Sequence, residues 1–203
     1  MKRIVIRSAM IASVGLMAVP AASSAFTFGA QLNQPPSNST PPRSCAADSG
    51  GNLASPCTRV LVSSDTGYAG GHVASPKDGV ITSFRIRAGG PGQIRFKIVR
   101  LKSVNTANST AKGKAVAKSA KFQVQGNGFN AGNPTETFNV NMNVKKGDRI
   151  AVDSSKTSVE RCTVANTVRQ LLWAPVLKVS ATAYRINDSK GYCTLMVQAI
   201  GHV

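Results

Sequence analysis

The stretch GVITSFRIRAGGPGQIRFKIVRLK, residues 79–102, carries the clearest fold signal in the sequence. Two runs of alternating apolar and basic residues flank a Gly-Gly-Pro-Gly tetrapeptide. Alternation with a period of two is typical of a strand with one buried face, and the tetrapeptide is typical of a turn. We therefore predict a hairpin whose apolar face contains Val80, Phe84, Ile86, Ile94, Phe96 and Ile98. The opposite face of this hairpin would contain Arg85, Arg87, Arg95 and Lys97.

The sequence after Cys57 continues as a series of short strands separated by clusters of Gly, Pro, Asn, Asp and Ser. The alternation is most regular in TFNVNMNV, residues 137–144, whereas the apolar pair Ile98-Val99 breaks it and predicts a bulge or a change of face. The predicted strands cover residues 59–63, 69–74, 80–88, 94–101, 116–125, 137–144, 149–153, 171–173, 181–186 and 192–200. The pattern predicts an all-β fold, a two-sheet antiparallel sandwich with jelly-roll or Greek-key-like topology.

The first 25 residues have the features of a secretory signal peptide. Three basic residues precede a short apolar segment, and Ser23-Ser24-Ala25 fits the small-x-small pattern of a cleavage site. The apolar segment is shorter than the roughly 20 residues that a membrane-spanning helix needs. We therefore predict a signal peptide at residues 1–25, no transmembrane anchor after cleavage, and a secreted protein that is extracellular or associated with the cell surface.

The mature chain is predicted to contain a leader and one domain. Residues 26–56 are rich in Pro, Ser and Asn and lack periodicity, which predicts a flexible leader that carries a disulfide loop. Residues 57–203 are long enough to bury the core of one β-sandwich domain. The whole chain of 203 residues has a net charge of +17, so its surface is strongly basic.

Four cysteines, an even number in a chain expected to be exported, predict two disulfides. Three pairings are possible. We favour Cys45 with Cys57, which closes a short loop containing Gly and Pro, and Cys162 with Cys193 by elimination. The spacings match no zinc-binding pattern, so the sequence predicts no metal and no cofactor.

The order GVITSFRIR, RFKIVR, FNVNMNVKKGDRIAVD and the terminal LMVQAIGHV resembles a broad group of secreted bacterial single-domain β-sandwich proteins. The shared features are structural, chiefly a strand followed by a Gly-Asp turn into the next strand. The resemblance covers residues 57–203. It implies a jelly-roll-like sandwich and an extracellular location, and it implies no agreed activity.

The basic face of the predicted hairpin is the first candidate site. Like charges placed opposite one another destabilise a sheet, so their clustering suggests an anionic partner. We predict that Arg85, Arg87, Arg95 and Lys97 hold an anionic cell-envelope polymer or surface glycan, helped by the Lys-rich residues 112–121. The alternative is a solvated face in which long stems cover the sheet. Specific nucleic-acid recognition is disfavoured, because the aromatic residues of the hairpin fall on the apolar face.

Two other functions are weaker alternatives. Tyr68 lies in a Gly-rich turn and could form a neutral-carbohydrate or adhesion site. His72 could act with Asp65 and Ser63 or Ser64 in a hydrolase, but no G-x-S-x-G motif accompanies it. We therefore predict a non-enzymatic binding or structural module.

Overall fold

The computed structural model describes residues 24–37, 56–126, 132, 134–154, 159–163 and 167–203. Within these ranges the regular structure is almost entirely β, with a short 3-10 helix at Ala69–Gly71. No helix in these ranges is long and apolar enough to cross a membrane. The strands are β1 (Ala25–Gly29), β2 (Cys57–Leu61), β3 (Gly79–Ile86), β4 (Gly92–Asn105), β5 (Thr110–Val124), β6 (Glu136–Val144), β7 (Arg149–Ser154), β8 (Glu160–Arg161), β9 (Gln170–Trp173), β10 (Arg185–Ile186), β11 (Ser189–Gly191), β12 (Thr194–Leu195) and β13 (Val197–His202).

Two antiparallel sheets form the sandwich. One sheet has the strand order β1-β13-β3-β6, and the other has the order β10-β5-β4-β7-β2-β9-β11, while β8 and β12 form a small separate ladder. The chain changes sheets between β3 and β4, between β5 and β6, and again between β6 and β7, which is connectivity of the Greek-key kind. The predicted all-β, two-sheet antiparallel sandwich is therefore confirmed.

The main core lies between the two sheets. Phe84 of β3 stacks on Phe96 of β4, with ring centroids 4.4 Å apart. In β6, Met142 and Val144 are buried, whereas the alternating asparagines are exposed, as the period of two predicts. Fully burying side chains of this size stabilises the fold by about 1.5–3 kcal/mol each. Phe84, Ile86, Ile94, Phe96 and Ile98 of the predicted apolar face thus lie in the core, although not through the predicted pairing. The prediction is wrong for Val80, which is half-buried: Ile81 is buried instead, where the register of β3 shifts.

The prediction that β3 and β4 form a hairpin is wrong. β3 pairs with β13 and β6, whereas β4 pairs with β5 and β7 in the other sheet. Two strands that face each other across a core have the same alternation as two strands that lie side by side, so the pattern does not separate the two arrangements. The connection through Pro91 therefore crosses the sandwich instead of turning within one sheet.

The prediction of a flexible leader from residue 26 is wrong for its first residues. β1 pairs with β13 from Ala25 opposite His202 to Gly29 opposite Gln198, and Phe26 and Phe28 are buried in the core. The segment is too short for its alternation to stand out from the polar residues that follow. Residues 1–23 and 38–55, with most of the predicted signal peptide and most of the leader, lie outside the described residues.

Two further sequence predictions concern a strand and the disulfides. The strand predicted at residues 69–74 is wrong, because Gly70 and Gly71 have positive φ and form the 3-10 turn. The Cys162–Cys193 disulfide is present and links the end of β8 to the residue before β12. Cys57 is also disulfide-bonded, and its predicted partner Cys45 lies outside the described residues.

Candidate anion-binding site

The structure separates the basic residues that were predicted to share one face. Arg85 lies in the four-stranded sheet, where its guanidinium donates to the Gln198 side chain at 3.3 Å. Arg87 follows the end of β3 and is half-buried. Arg95 and Lys97 lie on β4 in the seven-stranded sheet. The predicted common face is therefore wrong, because the crossing between β3 and β4 divides it between the two sheets.

A different set of like charges meets within the seven-stranded sheet. The register of β4 and β5 places four cations of one strand directly opposite four cations of the other. Directly opposed like charges on a sheet are destabilising. We call these eight residues the cationic ladder: Arg95 opposite Lys121, Lys97 opposite Lys118, Arg100 opposite Lys114, and Lys102 opposite Lys112.

The cationic ladder presents charge on both faces of its sheet. Val99 and Leu101 of β4 pack in an apolar cluster on the outer face of the sheet. Because successive side chains of a strand point to opposite faces, Arg95 and Lys97, which lie an even number of residues from Val99, point to that outer face too. Arg100 points to the opposite face of the sheet, the same face as Ile94, Phe96 and Ile98 of the main core. The register shifts between Ile98 and Val99, which confirms the predicted irregularity there.

Lys97 is buried and does not contribute an accessible charge. Its ammonium lies 2.6 Å from an Asp153 carboxylate oxygen, and only 2% of the residue is exposed. It also donates to the Leu177 carbonyl, and to the Thr58 hydroxyl at 3.4 Å. Burial lowers the pKa of Lys97, although Asp153 opposes this shift. Lys97 therefore holds the segment after β9 onto the sheet, which corrects its predicted role as a ligand-binding residue.

A cleft of about 300 Å³ lies beside this buried pair. Its cations are Arg95 and Lys118 on the sheet, Lys178 on the covering segment, and Lys97, and Asp153 is its carboxylate. The Nε of Arg95 is buried and has no hydrogen-bond partner among the described residues. A buried donor without an acceptor is costly. Lys178 carried no sequence signal, because a turn far from β4 in the chain brings it to the cleft.

The inner half of the ladder contains a second neutralised cation. Arg100 binds Asp148 through two hydrogen bonds, Nε to Oδ1 at 2.8 Å and NH2 to Oδ2 at 2.9 Å. This hydrogen bonding raises the pKa of Arg100. Lys102 lies over the ring of Tyr184, 4.5 Å from its centroid. The ring is covered by an ammonium group, which leaves that face closed to stacking with a base or a sugar.

The residues predicted for the alternative functions lie elsewhere. Tyr68 is half-buried, and its hydroxyl lies 3.5 Å from the Ser63 hydroxyl. His72 is exposed, and its carbonyl accepts from the amide of Gly29. Asp65 binds Thr194, Thr163 and Arg169. The structure does not place His72 among the hydrogen-bond partners of Asp65, so the predicted hydrolase set is not assembled here.

Glu160, Cys162 and Cys193 lie close enough together to resemble a metal site. The two sulfurs are bonded to each other as a disulfide, so they are not thiolate ligands. Glu160 binds Arg59 at 2.7 Å and Gln170 at 2.8 Å. These contacts give the cluster a structural role between β8, β2 and β9.

Comparison with protein families, curated proteins and solved structures finds no match to this chain. The resemblance to secreted bacterial sandwich proteins stays a prediction.

Proposed function

We propose that this protein is an exported, non-enzymatic binding module that holds anionic polymers of the cell envelope or surface glycans through the cationic ladder. The observation that supports this function is the direct opposition of four pairs of cations across β4 and β5. The two pairs whose cations have no carboxylate within ion-pair distance among the described residues, Arg95 with Lys121 and Lys102 with Lys112, each weaken the sheet by about 0.2–1 kcal/mol, a cost that an anionic partner would offset.

Six cations of the ladder remain available for such a partner. Among the described residues, carboxylates lie within ion-pair distance of Lys97 and Arg100 alone in this set. The free cations divide between the two faces of the sheet: Arg95, Lys118 and Lys121 lie on the outer face, and Lys102, Lys112 and Lys114 lie on the other. A polyanion with a repeated charge, such as a phosphodiester or uronate polymer, would engage the group of cations on one face. The free cations are Arg95, Lys102, Lys112, Lys114, Lys118 and Lys121.

The cleft would give the outer face its preferred point of contact. The guanidinium of Arg95, together with Lys118 and Lys178, would hold one anionic group of the polymer at the cleft. Charge-assisted hydrogen bonds of this kind are about twice as strong as neutral ones. Aromatic rings near the ladder, including Phe96 and Phe122, belong to the core or pack beside it, so the contact would depend on charge and not on base stacking.

Sedimentation with isolated cell envelopes over a salt series tests this function. The purified protein should be retained at low salt and released by about 0.5 M salt, because the screening length falls from about 10 Å at 0.1 M to about 3 Å at 1 M. Dextran sulfate should compete for the protein, whereas neutral dextran should not.

Matched charge-reversal variants locate the binding surface. Lys118→Glu combined with Lys121→Glu should lower retention strongly, because both positions lie on the ladder. Lys145→Glu combined with Lys146→Glu changes the net charge equally in an exposed turn and should retain most binding. Equal losses in the two double variants would refute the ladder as the site. Retention that does not respond to salt would favour the neutral-glycan alternative instead.

A further inference from the structure

A groove of about 600 Å³ lies on the outer face of the seven-stranded sheet, at the end away from the cleft. Leu101, Val168 and Leu171 give it an apolar surface, and Tyr192 also lines it. Val104 lines the groove at the end of β4 and is 58% exposed. A volume of this size and a mainly apolar lining are typical of sites for small molecules.

Two cations line the same groove, Arg149 and Lys190. The Arg149 guanidinium donates to the Val62 carbonyl at 3.2 Å. Among the described residues, no carboxylate lies within ion-pair distance of Arg149. Burial lowers the pKa of Arg149, with the nearby Tyr68 phenol opposing this shift. An arginine remains protonated in proteins, so this partly buried charge lacks a counter-ion from the described chain.

A ligand of this groove must match both its cations and its apolar side chains. A guanidinium has a planar set of donors that matches a carboxylate through two parallel hydrogen bonds. The apolar side chains offer no polar partner, so they favour a hydrocarbon tail. Since Lys190 lines the same groove, it adds a second positive charge that favours an anionic head.

We propose that this groove binds a small carboxylate with an apolar tail, its head on Arg149 and its tail along Leu101, Val168 and Leu171. This site is separate from the cationic ladder in its residues and in its ligand, since none of the eight ladder residues lines it. The inference therefore does not depend on the proposed function.

Isothermal titration calorimetry with octanoate and with octanol tests the proposal on the purified protein. Octanoate should bind, and octanol should bind at least about tenfold more weakly, because a hydrogen bond to a charged group contributes more than a neutral one. Equal affinities would overturn the role of the cation. No binding of either compound would overturn the site itself.

Variants test which residues bind the carboxylate head of the ligand and whether the cationic ladder contributes to that binding. Arg149→Gln should weaken octanoate binding about tenfold or more and leave octanol unchanged. Lys190→Glu, a change at a partly exposed position, should also weaken octanoate and serves as the second test if Arg149→Gln does not fold, as judged by its thermal unfolding. The Lys118→Glu, Lys121→Glu double variant should bind octanoate like the unmodified protein. Octanoate binding that is lost in this double variant, or kept in both groove variants, would overturn the proposal.

Discussion

Replacing Lys112 by Glu should stabilise the fold, although it would weaken the proposed polymer binding. Lys112 lies directly opposite Lys102, and neither has a carboxylate within ion-pair distance among the described residues. The substitution removes one repulsive pair and creates one attractive pair, each of about 0.2–1 kcal/mol. The two contributions sum to about 0.4–2 kcal/mol, and because both side chains are exposed, solvent screening keeps the gain below the middle of that range, at about 1 kcal/mol.

Thermal unfolding at low and high salt measures this gain. A stabilisation of about 1 kcal/mol raises Tm by about 2–4 °C in a protein of this size. Lys112→Gln, which removes the repulsion without adding an attraction, should show about half the increase. At 1 M salt the increases should largely disappear, because exposed charges are then screened.

Lys146→Glu is the control for the lowered net charge of the whole protein. Lys146 is exposed in a turn, so its replacement relieves the general repulsion without changing a cross-strand pair. An increase in Tm as large as that of Lys112→Glu would refute the argument from the ladder register. A decrease in Tm for Lys112→Glu would refute it as well.

Three further predictions concern stability. Asp153→Asn should cost about 3–5 kcal/mol in urea unfolding, because it leaves the buried Lys97 ammonium without a counter-charge, while the double variant Lys97→Met, Asp153→Asn, which leaves no buried charge, should cost less. Gly113→Ala should lower stability by about 1–3 kcal/mol, since a Cβ there would lie 2.6 Å from the indole of the buried Trp173. Asp65 should contribute stability that is lost in acid. Burial raises the pKa of its carboxyl, but hydrogen bonds and the charge of Arg169 together lower the pKa by more than burial raises it, so the net pKa lies below the ordinary 3.8. That contribution is full above pH 3.8 and is lost as the pH falls through the folded-state value, so Asp65→Asn should remove the corresponding slope from the curve of unfolding free energy against pH.

Each of these predictions has an outcome that contradicts it. Equal losses for Asp153→Asn and for the double variant would show that the buried charge is not the cause. Unfolding of Gly113→Ala at the urea concentration of the unmodified protein would show that Trp173 can move aside at no cost. If the unfolding free energy of Asp65→Asn falls with decreasing pH as steeply as that of the unmodified protein, other carboxylates cause the acid sensitivity.

The parts of the fold that follow from local alternation were predictable. The strand at Glu136–Val144 and the turn after it follow directly from TFNVNMNV and Lys-Gly-Asp, and the structure places them as expected. The partner of each strand was not predictable in the same way. Phe84 and Phe96 alternate with basic residues in both arrangements, and the choice between a hairpin and a crossing depends on how the whole chain fills the sandwich.

The candidate site was predictable in its charge but not in its geometry. Arg95 was singled out, and the Lys-rich residues 112–121 were included as a supporting strip that proves to be the opposite strand. The burial of Lys97 depends on Asp153 and on Leu177, which come from distant parts of the chain. Long-range contacts of this kind leave no local pattern, so the sequence predicts them only through a complete topology.

The pairing of β1 with β13 has a consequence for the order of folding. β13 lies between β1 and β3, so among the described strands β1 has no hydrogen-bonded neighbour until β13 has been made. Contacts between segments far apart in the chain cost loop-closure entropy and slow folding. The four-stranded sheet is therefore completed late, only once β13 is available to join β1 to β3.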